Sequence, residues 1–150
     1  GREFGAVGPA LRVAVAAPHA REHRVIDAVV LAPADLLIQN QAQAAGTHIA
    51  QNGGVAQVCL LDRYINEDYK NASLTDAIEH IDHMVKVAGI DHVGIGSDFD
   101  GGGGIIGCES DNDFIQITVK LIEKGYTEED IAKIWGGNWL RVMAQVQAVR

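Results

Sequence analysis

Asp98 and Asp100 are the side chains whose setting most suggests chemistry. They follow the short apolar run His92-Val-Gly-Ile-Gly-Ser97 and precede four consecutive glycines, Gly101 to Gly104. The carboxyl ends of strands in α/β sheets and barrels are where ligands and catalytic groups collect. An aspartate there can bind a metal, accept a proton or contact a substrate. Two other patterns overlap the same residues. Counted as a calcium loop, Asp98, Asp100, Gly103 and Glu109 take positions 1, 3, 6 and 12 of an EF-hand. Gly102 and Ile106, at positions 5 and 9, bring no side-chain oxygen, and the entering residues read as a strand where an EF-hand needs a helix. Gly94-Ile-Gly96 begins a dinucleotide fingerprint, but Phe99 stands where the third glycine belongs. The plainest alternative is that both aspartates only bond amides of their own turn.

The histidines and cysteines offer less. His80 and His83 lie three apart on a segment with helical spacing, but steps of about 100° put His83 almost opposite the apolar stripe and His80 on its flank. Solvated histidines are the expectation. His19 and His23, beside Pro18 and without an apolar stripe, read as a surface pair. Cys59 and Cys108 match no metal or redox spacing, so reduced thiols are expected.

The elements that must position Asp98 are legible from residue 48 onward. Asn52-Gly-Gly54 marks a helix stop and turn, and 54–61 reads as a buried strand. Residues 62–72 read as a polar loop. Ser73-Leu-Thr-Asp76 opens a helix with a capping box, with Leu74, Ala77, Ile78, Ile81, Val85 and Ala88 as its apolar stripe and Gly89 as its stop. A second buried strand at 91–98 ends in Asp98. Ser110 and Thr127 each begin a further capping pattern, the first leading to an inward set of Phe114, Ile117, Leu121 and Ile122. Gly136-Gly-Asn138 breaks the next helix, and Trp139 to Val146 form the last. Two strands joined through a helix of this length imply a parallel βαβ unit and an α/β fold. Two strands neither close a barrel nor make a stable sheet alone.

Charge and hydropathy narrow the function. The net charge of -8 gives no footprint for nucleic acid or an anionic membrane surface. No uncharged apolar run reaches membrane-spanning length, and no signal-peptide pattern opens the chain, so localisation is not indicated. Residues 1–47 balance four arginines against four acids and contain no lysine, whereas residues 48–150 carry all the net charge. The leading 47 residues therefore read as a separate, poorly specified arm.

Four segments together resemble the C-terminal part of the renal (membrane) dipeptidase family. They are Asn52-Gly-Gly-Val-Ala-Gln-Val58, Ile81-Asp-His-Met84, His92-Val-Gly-Ile-Gly-Ser-Asp-Phe-Asp-Gly101 and Gly137-Asn-Trp-Leu-Arg-Val142. The resemblance runs from about His48 to Gln147. It implies an amidohydrolase-type (β/α)8 TIM barrel, with 54–61 as its seventh strand, 91–98 as its eighth and the closing helices after them. It also implies hydrolysis of dipeptides by water activated between two zinc ions. Asp98 would be the catalytic carboxylate that handles the proton of that water, and Tyr64 a substrate-lining residue. The family's zinc ligands, a His-x-Asp pair, a bridging Glu and two further histidines, have no counterpart assigned in this chain. The expectation is therefore a segment of the barrel without a metal site, inactive alone and dependent on the rest of the barrel or on a second copy. The competing expectations are a calcium-binding module built on Asp98–Glu109 and a truncated product without function.

Overall fold

The computed structural model of the chain describes residues 36–148. Most of the leading arm, His19 and His23 included, lies outside the described residues. The expected change of texture near residue 47 falls inside the first helix, α1, Leu36–Gln51. This helix stops where the sequence indicates. Gly53 takes φ 69°, which frees its neighbours to close the end: Asn52 N–H donates to the His48 carbonyl and Gly54 N–H to that of Ile49.

Strand β1, Ala56–Cys59, pairs in parallel with β2, Val93–Gly96, in the register Ala56 to Val93 and Cys59 to Gly96. Both are shorter than expected, because the chain turns into short helical pieces immediately beyond their ends. Residues 62–72, expected as loop, contain a one-turn helix, α2, Asp62–Ile65, and a 3-10 turn at Tyr69–Asn71. Local polar bonds fold them: Asp68 N–H donates to Asn66 Oδ1, and Asn71 Nδ2 to Asp68 Oδ2.

The crossover is α3, Leu74–Ala88. Ser73 and Asp76 form the expected capping box, Ser73 Oγ accepting from Asp76 N–H and Asp76 Oδ2 from Ser73 N–H. Leu74, Ala77, Ile78 and Ile81 are buried as expected, but Met84 completes the face while Val85 and Ala88 sit at its margin. His80 is not solvated. Its Nε2 lies 3.0 Å from the Ile65 carbonyl, which can only accept, so the ring donates there and pins α2 to α3. Burial holds its pKa below the usual histidine range. His83 is exposed as expected.

Helix α4, Phe114–Glu123, follows a 3-10 turn at Asp111–Asp113 capped by Ser110. Ile117 and Leu121 are fully buried, whereas Ile122 is 59% exposed. One residue beyond Leu121 is a rotation of about 100°, enough to carry Ile122 off the buried side. Asp82 of α3 receives Tyr126 OH at 2.8 Å and the Lys124 ammonium, which ties the end of α4 to the crossover. Helix α5, Glu128–Ala132, begins at the Thr127–Asp130 capping box. At Gly136 the backbone leaves helical geometry (φ 179°, ψ -18°), so the glycines break the helix as expected, and α6, Asn138–Gln147, follows beyond the kink.

Asn138 joins that last helix to the sheet. It is 3% exposed, and its Nδ2 donates to the carbonyls of Ile90 at 2.7 Å and Val93 at 2.8 Å. Arg141, one turn on, donates to the carbonyls of Gly53 and Asp91, both at 2.8 Å. Together they clamp the residues just before β1 and β2. Asn138→Ala removes both bonds, the one to Val93 fully buried, and is expected to cost about 2–3 kcal/mol, read as a lower urea midpoint. An unchanged midpoint would show that the clamp contributes nothing.

Candidate functional site

Beyond Gly96 the pairing of the strands continues as a stitched loop. Leu60 N–H donates to the Ser97 carbonyl at 3.2 Å, and Gly104 N–H returns to the Leu60 carbonyl at 2.8 Å. Between these two bonds the chain makes the turn that carries Asp98. Asp98 has φ 62° and ψ 27°, the one non-glycine residue at positive φ among the described residues. Aspartate tolerates this left-handed region better than most residues, yet holding it there costs of order 1 kcal/mol. The turn repays part of that cost, since the Asp98 carbonyl accepts from Gly101 N–H at 2.9 Å and from Gly103 N–H at 2.7 Å.

The same turn folds the Asp98 carboxylate over Gly101. A Cβ placed on Gly101 would collide with the Asp98 carboxyl group itself, so a side chain there would force the carboxylate to move. On its other side the carboxylate meets β1, with Cys59 Sγ 3.6 Å from Asp98 Oδ2. Burial pushes the Cys59 thiol up to about 11 from an ordinary 9.0, and the neighbouring Asp98 charge adds to that rise. The thiol is therefore the protonated donor of the pair. Phe99, next in the loop, stacks on Phe114 with ring centroids 5.5 Å apart, and Phe114 meets Trp135 edge-on at 5.3 Å. Trp135 Nε1 donates to Thr118 Oγ1, so the aromatic row anchors the turn to α4 and to the segment after α5.

The residues singled out in the sequence thus fare differently. Asp98 stands exposed at the carboxyl end of β2, as expected, and Asp100 is exposed beside it. Tyr64 lies on α2, the turn after the neighbouring strand, half-buried against the core with the Arg63 guanidinium 6.0 Å from its ring centroid. Gly94 and Gly96 lie inside β2, and a single 3-10 turn follows Asp98, so no helix opens behind a dinucleotide-type glycine loop. The Asp98–Glu109 segment is entered from a strand and left through β-bridges and a 3-10 turn, which is not the helix–loop–helix frame of an EF-hand. Among the described residues no group of three or more His, Cys, Asp or Glu converges as a metal site, so these residues do not fit a zinc centre.

Sequence reasoning missed Cys59. The signal was present: alternation along β1 buries Ala56 and Val58 on one face and turns Gln57 and Cys59 to the other. Parallel pairing then sets the end of that second face beside the end of β2.

The strained turn has a measurable consequence. Asp98→Asn, which also tolerates the left-handed region, is expected to leave the urea midpoint nearly unchanged, while Asp98→Val should cost about 1–2 kcal/mol. Equal midpoints for the two variants would mean that the turn relaxes freely.

With this geometry in hand, known proteins give a consistent comparison. The membrane dipeptidase family (Peptidase family M19) matches residues 46–150. Dipeptidase ataJ of Aspergillus terreus is 34% identical over 145 residues, covering 87% of this chain and 35% of its own length. That share is larger than residues 48–150 make up, so the similarity reaches into the leading arm. Dipeptidase aclJ of Aspergillus oryzae is 35% identical over 103 residues, covering 67% of this chain and 24% of its own. The chain thus spans about a third or less of the length of these curated relatives. Among solved structures, the probable dipeptidase PvdM from Pseudomonas aeruginosa superposes with a TM-score of 0.65 at 28% identity, covering 71% of this chain and 40% of the other. A metallo peptidase from Rhodobacter sphaeroides, solved with a phosphinate mimic of the dipeptide L-Ala-D-Ala, shares the fold at the same TM-score and 23% identity, over 69% of this chain and 30% of that one. On the match across residues 46–150, the chain belongs to the membrane dipeptidase family, Peptidase family M19.

Proposed function

We propose that this chain forms the last two strands and closing helices of a (β/α)8 barrel whose activity is the hydrolysis of dipeptides. The observation that carries the reading is the position of Asp98, an exposed carboxylate at the carboxyl end of β2 inside the family-matched segment. In barrels of this kind the carboxyl ends of the strands face the substrate. β1 would be the seventh strand and β2 the eighth.

In that setting Asp98 acts as a general base and then as a general acid. It takes a proton from the water attacking the peptide carbonyl and returns it to the departing amine, the sequence that hydrolysis of an amide needs from one well-placed carboxylate. The turn at Gly101–Gly103 holds the backbone from which the carboxylate projects, which limits the motion needed between the two transfers. Tyr64, on the turn after the adjacent strand, would line the substrate. The family is one of metallopeptidases, and zinc is the metal the resemblance implies. The described residues supply no ligand set for it, so the metal would be held by other parts of the barrel, and the 150 residues alone would not turn over substrate.

Two measurements test this. The isolated chain should hold far less than one zinc by elemental analysis and should not hydrolyse Gly-D-Phe or similar dipeptides; about two firmly held zinc ions with turnover would overturn the assignment of the metal to other segments. In a complete barrel carrying this segment, Asp98→Asn should lower turnover by at least ~10²-fold while zinc content stays the same. Full activity in that variant would remove Asp98 from the mechanism.

A further inference from the structure

We propose that Cys59 is a positioning residue for Asp98, its S–H holding the carboxylate in the orientation that proton transfer requires. This rests on Asp98 being the proton carrier, and it names the side chain that aims it.

Three observations converge. The register of the sheet sets Cys59 opposite Gly96, so the last side chain on the open face of β1 lies beside the turn that carries Asp98. The left-handed backbone at Asp98 and the bare Cα of Gly101 give the carboxylate its place, and the 3.6 Å approach of Sγ to Oδ2 is its contact with the neighbouring strand. The thiol also remains protonated through the neutral range, since burial and the Asp98 charge both push its ionisation upward. A thiolate would repel the carboxylate, but an S–H donates to it. Among the described residues Asp98 is the charged group that acts on this thiol, and the Leu61 backbone N–H opposes the rise only in part. A protonated, half-buried thiol is also a poor nucleophile.

The rival explanation is that Cys59 is merely a small apolar filler at the edge of the core, against which it does pack. The two explanations rank substitutions oppositely. Ser keeps the donor and loses apolar character, whereas Ala keeps apolar character and loses the donor.

The test begins with the 150-residue chain, following iodoacetamide alkylation of the Cys59 peptide by mass spectrometry across the alkaline range. The expected profile lies at higher pH than in the guanidinium-denatured chain. Asp98→Asn should move it toward the denatured one, raising the alkylation rate at pH 9 by roughly three- to tenfold. Coincident profiles for the parent and Asp98→Asn chains overturn the pairing, as does a native profile identical to the denatured one. In the complete enzyme, Cys59→Ala should lower kcat by about tenfold with little change in KM, and Cys59→Ser should restore it to within about threefold. An active Cys59→Ala enzyme, or one that outperforms Cys59→Ser, overturns the positioning role. If Asp98→Asn itself leaves turnover intact, the proton-carrier reading fails and takes the purpose of the pairing with it. The alkylation profiles still report the contact separately, so the two failures are distinguishable.

Discussion

Parallel strands cannot be joined by a tight turn, so pairing Ala56–Cys59 with Val93–Gly96 obliges the intervening chain to cross over the sheet, and α3 is that crossing. Most other features follow. The crossing buries Ala56, Val58 and Val93 against Ala77, Ile78 and Ile81, which makes one face of the sheet the core and leaves Gln57 and Cys59 on the other. It also brings both carboxyl ends to the same edge, where the loops after β1 and β2 can bond one another through Leu60, Ser97 and Gly104. Asn138 and Arg141 fasten the opposite ends through the carbonyls of Gly53, Ile90, Asp91 and Val93. One end of the sheet is thus secured by a helix, and the other is free to carry a turn under strain.

That division explains why some features could be read from the amino acids and others could not. The capping boxes at Ser73, Ser110 and Thr127 and the stop at Asn52-Gly-Gly54 are local, formed by residues within three or four positions, and they occur where their pattern lies. The parallel pairing was legible because a helix-length insertion between two apolar runs permits little else. The errors were tertiary. His80 has the spacing of a surface residue, but the Ile65 carbonyl on α2 offers a partner that helical periodicity does not reveal. Ile122 has the composition of a core residue, but it lies about 100° around the helix from the buried Leu121 and faces out. At the site, the position of Asp98 followed from the end of an apolar run, but its left-handed backbone did not. The Cys59–Asp98 contact escaped notice because its partners lie 39 residues apart in sequence and only 3.6 Å apart in space.

The glycine run is the place where fold and chemistry constrain the same atoms. Flexibility alone would have suggested a loop that swings over a ligand. The structure instead uses at least two of these glycines for close contact: Gly101 leaves room for the Asp98 carboxyl group, and Gly103 for the carbonyls of Ser97 and Asp98. A side chain at either position would push the carboxylate or its backbone out of place. These two glycines therefore let the chain fold more tightly on Asp98 than residues with side chains would. A carboxylate that must accept and return a proton benefits from such confinement, because every conformation removed from it before the reaction is entropy that need not be lost during the reaction. If Asp98 is the proton carrier proposed above, its hydrogen-bonding neighbours Cys59, Gly101 and Gly103 all lie within residues 59–104.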